Sequence, residues 1–223
     1  MKALLNEENP RGVMDEGEPN GRRTTEISRE EVKQAMRRMK DGKATGPDNI
    51  PVEVWKSLEE EGLEWLCWLV NKIYEKEKIP NAWRCSDIVP IYKEKGDIQD
   101  CKNYRGIKLM SHTMKLYERI IERRVRGETL VEDEQFGFMP GRSTTDAIFA
   151  LRQLLEKYGE KQRELHLTFI DLEKAYDRVP RQEVWASMRR KGASEKYVRV
   201  IQDMYEGSRT RVRNSVGTTE DSV

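Results

Sequence analysis

Behind Ser28, the apolar residues Val32, Ala35, Met36 and Met39 recur at helical spacing, and Glu31 stands three positions after the serine. This capping-box pattern predicts a helix that Gly42 ends. After Pro51, read as a first-turn residue, a second helical stripe runs through Trp55, Leu58, Leu63, Leu66, Leu69, Val70 and Ile73 to Ile79-Pro80. Trp65 and Trp68 lie within this pattern and read as core aromatics rather than platforms for stacked bases. The pattern then turns strand-like. Asp87–Lys93 and Tyr104–Leu109 flank a polar loop containing Gly96 and predict a long hairpin. Pro90 cannot donate to a ladder, so its strand is expected to be an edge or to bulge there.

Helical spacing returns after Ser111, with Leu116, Ile120 and Ile121 inward, arginines outward and a turn at Gly127. Ser143 with Asp146 opens a helix over 147–158, whose Ile148, Leu151, Leu154, Leu155 and Tyr158 share a face. The run Leu165 to Ile170 reads as a strand ending on Asp171. Helices over Gln182–Lys191 and Ser194–Glu206 follow, then a strand Arg209–Arg213 whose alternating arginines line one side. The mixture is α+β, without an internal repeat.

Composition narrows the picture. Charged residues are 36% of the chain against a usual ~25%, and Leu, Ile, Val and Phe together make 47 of 223 residues. That share lies just above the level below which disorder is expected at high net charge, but the net charge is only +1. A near-neutral chain does not by itself point to nucleic acid. The basic run Arg119–Arg126 reads first as a solvated helical face. Cys67, Cys85 and Cys101 lack metal-site spacing, and only His112 and His166 could complete a site, so a zinc centre is excluded. An odd cysteine count and no apolar run near ~18 residues favour an intracellular chain, nuclear or cytoplasmic and not secreted, with no membrane partner. Residues 1–25 mix prolines and glycines with charges and read as a flexible leader. Gly42-Lys43-Ala44-Thr45-Gly46 is not a P-loop, because no strand precedes it and no Gly-Lys-Ser/Thr closes it; a turn with exposed Lys43 is expected.

A carboxylate at the end of an apolar strand suits metal-dependent phosphoryl transfer, yet the residues alone leave Asp171 open between a metal ligand and a turn cap. Four collinear segments add to this: Lys40–Pro51, Asn103–Leu109, Gln135–Thr145 and Leu167–Arg181, the last reading Leu-Thr-Phe-Ile-Asp-Leu-Glu-Lys-Ala-Tyr-Asp-Arg-Val-Pro-Arg. In order and content they resemble the fingers and first palm motifs of reverse transcriptases from non-LTR, LINE-type retrotransposons. The resemblance runs from about Glu26 to the C-terminus. It implies a right-hand polymerase, with a fingers-like subdomain over 26–163 and a partial palm over 164–223.

The resemblance also implies roles. Asp171 and the carbonyl of Leu172 would hold Mg²⁺, and Lys93 and Arg105 would hold the triphosphate of an incoming dNTP, with Lys95 or Lys108 as substitutes. Tyr176 would crowd the sugar 2′ position and select deoxynucleotides. Arg142 and Lys108 would contact nucleic acid, the partners being an RNA template and a DNA primer. Without the resemblance, Lys93 and Arg105 read as solvated strand ends, Tyr176 as a core residue and Arg142 as one half of a salt bridge. Asp177 reads as structural.

One family motif is missing, since these 223 residues contain no two consecutive aspartates. Bridging two metal ions takes carboxylates from separate strands. The expectation is an N-terminal portion of an RNA-directed DNA polymerase, inactive by itself, without the Asp-Asp hairpin, the thumb or a preceding endonuclease domain. The alternatives are a non-catalytic RNA- or DNA-binding module and a helical interaction protein derived from a retrotransposon remnant.

Overall fold

The computed structural model describes residues 16–171, 179–214 and 217–219. Helices α1 (Arg29–Arg37), α2 (Val52–Lys56) and α3 (Glu60–Lys76) lead to the sheet strands β1 (Cys85–Tyr92) and β2 (Tyr104–Leu109). Helices α4 (His112–Glu128), α5 (Thr144–Glu160), α6 (Arg181–Arg190) and α7 (Glu195–Tyr205) follow, and β3 (Arg209–Val212) completes a three-stranded sheet in the order β2-β1-β3. The architecture is mixed α+β, as the pattern predicts.

The core lies among α1, α3, α4 and α7. Val32 and Met36 of α1, Leu66 and Val70 of α3, Leu116 and Ile120 of α4 and Tyr197 and Val200 of α7 are all buried in one cluster. Both N-terminal oxygens of the α1 capping box are in place: Ser28 accepts from the Glu31 amide, and Glu31 accepts from the Ser28 amide at 2.8 Å. Arg124 of α4 then binds the same Glu31, Nε to Oε1 and Nη2 to Oε2 each at 2.7 Å. It also donates to the carbonyls of Thr25 and Glu26 and lies over the Tyr74 ring. Arg124 therefore points inward, unlike the outward arginines expected on this helix, because the start of α1 supplies every acceptor its fork needs.

Several expectations fail for physical reasons. The long stripe after Pro51 is two helices, broken before Glu60, and Pro51 is the N-cap of α2 rather than part of its first turn. Trp65 and Trp68 are exposed, at 52% and 56%, since Leu63, Leu66, Val70 and Ile73 already fill the inward face of α3. Gly127 sits inside α4 rather than at a turn. The Ser143–Asp146 capping box forms, but α5 buries no residue, and Ile148, Leu154, Leu155 and Tyr158 stay open to solvent. The strand expected over 165–170 is coil, with Phe169 and Ile170 more than 80% exposed. A strand exists only through a neighbour that takes its backbone hydrogen bonds, and no described residue pairs with this run. Of the expected flexible leader, residues 16–24 run against α6 and α7: Asn20 bridges to Ser194, and Gly17 packs against Arg189.

The hairpin forms in the expected place, with Asp87 opposite Leu109 and Tyr92 opposite Tyr104. On its other side β1 takes β3 in parallel, but only from Cys85 to Ile88. The Ile88 carbonyl accepts from Arg213 at 2.9 Å, so residue 90, two further on, aims its backbone nitrogen to the same side, where β3 has ended. Pro90 thus stands at a local edge.

Asp203 of α7 fastens β3 beside β1. Its side chain is 3% exposed, accepts from the Ile79 amide at 2.7 Å, and is paired with Arg84 at 2.9 Å and Lys78 at 2.9 Å. Burial alone raises a carboxyl pKa, but here Lys78, the Ile79 amide and Arg84 outweigh it and hold Asp203 below its ordinary value. Arg84 also donates to the carbonyls of Asp203 and Glu206, so the residue that precedes β1 grips the end of the helix that precedes β3.

Removing one partner of a buried ion pair costs roughly 3–5 kcal/mol, because the other charge is left unpaired. Asp203→Ala is therefore expected to lower the unfolding free energy by about that much in urea denaturation; a loss under about 1 kcal/mol would show the pair to be marginal. A second expectation concerns pH. Hydrogen bonding to Arg124 lowers the Glu31 pKa from 4.5 to about 2. A depressed carboxylate adds stability that is complete above its unfolded pKa and is lost as pH falls toward the folded one. The wild type should therefore lose urea resistance between about pH 5 and pH 2 more steeply than Glu31→Gln. Parallel curves for the two proteins would refute the assignment.

Candidate nucleotide and nucleic-acid interface

Strand pairing decides which side chains share a face. Ile91 lies opposite Arg105 and Val89 opposite Ile107 on one side of β1, while Asp87 lies opposite Arg211 and Cys85 opposite Arg209 on the other. Side chains alternate along a strand, so Arg105, Arg209 and Arg211 belong to one face of the sheet. Lys93 extends the same set, its amide donating to the Asn103 carbonyl at 2.8 Å one step beyond the last paired residues. Lys108 pairs with Ile88 and projects from the opposite face, so it does not join Lys93 and Arg105 as a substitute.

The Arg105 side chain is exposed and makes no ion pair among the described residues. Lys93 donates to the Lys102 carbonyl at 2.9 Å, which aims its ammonium back across the hairpin. Exposed Ile91 and Ile107 lie between the cations, giving a face that is basic with an apolar floor. The acid on this face is Asp87, buried and bound through Oδ1 by Nε and Nη2 of Arg211 at 3.0 and 2.9 Å. The basic alternation of β3 is visible in the sequence, but its partner strand is not: the pairing spans 124 positions.

The hairpin is braced at both ends. At its tip, Asn103 donates to the Asp97 carbonyl at 2.8 Å, the Tyr104 hydroxyl to Ile98 at 2.9 Å and the Tyr92 hydroxyl to Gly96 at 2.6 Å. Gly96 has φ +77°, and the Asn103 side chain lies where a Cβ would project. Asn103 thus supports the hairpin tip, a role that the sequence marks only by its place beside Tyr104 and Arg105. At the base, Gly46 lies against the backbone of Met110 and Ser111, so closely that a Cβ would stand 2.3 Å from the Met110 carbonyl carbon. His112 Nδ1 meets the Ile50 carbonyl at 3.1 Å. The Gly46-Pro47 turn is thus a wedge at the junction of β2 and α4, and Lys43 is exposed beside it, as expected for a structural turn.

Arg142 and Asp171 are the other proposed residues that the structure describes. Arg142 is held by the side chain and carbonyl of Asp133 and lies 5.5 Å from the Phe136 ring centre, an arrangement that closes the 133–142 loop. Asp171 is exposed on coil. Leu172, Tyr176 and Asp177 lie outside the described residues. No group of three His, Cys, Asp or Glu side chains among the described residues converges as a metal site. Among the described residues Asp171 is therefore a lone candidate ligand, whereas a two-ion centre takes carboxylates from separate strands.

Comparison with known proteins gives a concordant result. A family model described as reverse transcriptase (RNA-dependent DNA polymerase) matches residues 91–222, more than half of the chain. The chain is 28% identical over 193 residues to a probable RNA-directed DNA polymerase from transposon BS of Drosophila melanogaster, covering 83% of this chain and 21% of that protein. It is 25% identical over 191 residues to the transposon TX1 uncharacterized 149 kDa protein of Xenopus laevis, covering 85% and 14%. A retrovirus-related Pol polyprotein from type-1 retrotransposable element R2 of Nasonia vitripennis is 26% identical over 188 residues, covering 83% and 18%. The chain spans about a fifth or less of the length of these curated relatives.

The wedge can be tested directly. Gly46→Ala must push back backbone rather than a flexible side chain, and overpacking of this kind costs typically about 1–3 kcal/mol. Urea denaturation is expected to show a loss of that size, while Gly42→Ala, where a Cβ meets nothing within 4 Å, should lose less despite its positive φ. Equal losses would remove the contact with Met110 as the cause.

Proposed function

Since this chain belongs to the reverse transcriptase (RNA-dependent DNA polymerase) family, we propose that it forms the fingers and part of the palm of a non-LTR retrotransposon RNA-directed DNA polymerase, arranged as a right hand over 26–163 and 164–223. The carrying observation is the shared face of Lys93 and Arg105 on a hairpin braced at tip and base. On this reading the face receives the triphosphate of a dNTP. Arg105 makes the principal contact, because a guanidinium holds two phosphate oxygens at once, and Lys93 adds a mobile point charge. Arg211 is neutralised by the buried Asp87, so contact with a template or primer backbone along this face would fall to Arg105 and Lys93.

Reverse transcriptases use divalent metal ions. In this chain Asp171 and the Leu172 carbonyl are the proposed ligands, and one carboxylate without a second holds Mg²⁺ weakly. Tyr176 is the proposed check on the sugar 2′ position. Arg142 keeps a structural role through Asp133 and reaches template phosphate only if that pair opens.

A second reading, a nucleic-acid-binding module without catalysis, is favoured by the same basic face. Binding and chemistry separate the two. The 223-residue chain is expected to show no Mg²⁺-dependent primer extension on an RNA template; extension that disappears in Asp171→Ala would establish catalysis and refute this expectation. For the triphosphate site, fluorescence anisotropy with a labelled dNTP should weaken about 10- to 100-fold in Arg105→Ala, matching the 1.5–3 kcal/mol typical of a hydrogen bond to a charged group. Arg105→Lys should recover part of the loss. Unchanged dNTP affinity in Arg105→Ala would sink the triphosphate assignment.

A further inference from the structure

A second positive surface lies at the end of α7 remote from Arg84 and the sheet. Asn20 anchors it: its carbonyl accepts from the Glu195 amide at 2.8 Å, its side-chain amide donates to Gly192 at 2.9 Å, and its Oδ1 accepts from the Arg22 amide at 3.1 Å. These bonds lay residues 20–24 along the first turn of α7 and leave an open cleft of about 340 Å³ between them. Arg22, Arg23 and Thr24 form one wall, and Lys196 and Arg199 the other.

The charge in this cleft is one-sided. Glu195 also lines it, but Nε and Nη2 of Arg189 bind its two oxygens at 2.9 and 2.8 Å. Arg199 is matched by Glu77 at 2.6 and 2.8 Å. Arg22 and Arg23 are exposed and make no ion pair among the described residues, and Lys196 lies 4.0 Å from the Tyr74 ring centre. The amino end of α7 adds little, because the Glu128 carboxylate accepts from the Ser194 amide at 2.9 Å and from its hydroxyl at 2.6 Å, so the positive charge of the cleft comes from its side chains. No aromatic side chain lines the cleft, so it offers nothing for a base to stack on.

We propose that this cleft is a phosphate-binding site for the backbone of a single-stranded RNA, separate from the sheet face and indifferent to sequence. Paired guanidinium forks suit phosphodiester oxygens, and Glu195, the carboxylate among the described lining residues, is already paired with Arg189. The inference rests on the nucleic-acid partner of the preceding subsection but on none of its catalytic residues. Its effect is to give the RNA a second point of attachment, so that a strand lying on the sheet face is also held at the far end of α7.

The test is salt dependence of binding to a short single-stranded RNA, read by anisotropy between about 50 and 200 mM salt. Each phosphate contact on a single strand contributes about 0.7 to the slope of log affinity against log salt, so the double variant Arg22→Ala/Arg23→Ala should lower it by about 1.4. The double variant Arg22→Lys/Arg23→Lys should keep the wild-type slope, and unchanged thermal melts would show that both remain folded. An unchanged slope in the alanine variant, with wild-type RNA binding intact, overturns the cleft and spares the sheet face. No RNA binding by the wild type overturns both readings together. Equal, Arg22- and Arg23-dependent binding of a polyglutamate peptide would overturn it in favour of an acidic protein partner.

Discussion

The buried carboxylate of Asp203 is the constraint on which the arrangement of the sheet depends. A parallel pairing between strands more than a hundred residues apart must be held by something other than a turn, and the local sequence of β3 offers only four paired residues. Asp203 supplies that hold from outside the sheet. It receives an amide, an ammonium and a guanidinium, and the guanidinium belongs to the residue just before β1. With the start of β1 and the end of α7 fixed to each other, β3 has no alternative but to run beside β1. The common face of Lys93, Arg105, Arg209 and Arg211 follows from that register.

Arg124 does for the helices what Asp203 does for the sheet. It joins the last turns of α4 to the cap of α1 through Glu31 and two backbone carbonyls, and it rests on Tyr74 of α3. Two charged hubs therefore organise a chain that is poor in large aliphatic residues. The hairpin takes its rigidity from smaller devices, an asparagine at the tip and a glycine at the base, each exploiting close contact with backbone.

Short-range chemistry was the legible part of the sequence. Both capping boxes, the hairpin, the C-terminal helix pair and the basic strand were readable because each is specified within a few residues of itself. Reading failed where the outcome depended on distant partners. Trp65 and Trp68 fitted an apolar pattern, but only the packing of α3 on α1 and α4 decides which side of that pattern is covered. Arg124 sat in a run of basic residues, with nothing nearby to mark it as the one that turns inward. The apolar run before Asp171 has strand composition, yet composition cannot supply a neighbouring strand. Of the candidate site, the motif resemblance located Lys93 and Arg105, the pairing register joined them, and the same register separated Lys108. The cleft beside α7 had no sequence signal, because residues 20–24 and Lys196 are brought together across more than 170 positions by Asn20.

Pro90 has an effect on how copies of this chain meet one another. Beyond Ile88, the side of β1 vacated by β3 would ordinarily be a template onto which a strand from a second molecule could zip. A proline whose nitrogen points to that side removes the donor such a strand would need first, and its ring obstructs the approach. The stretch of β1 beyond Ile88 is thereby shielded on that side from edge-to-edge pairing without being covered by the described residues, and its basic face stays open to a ligand.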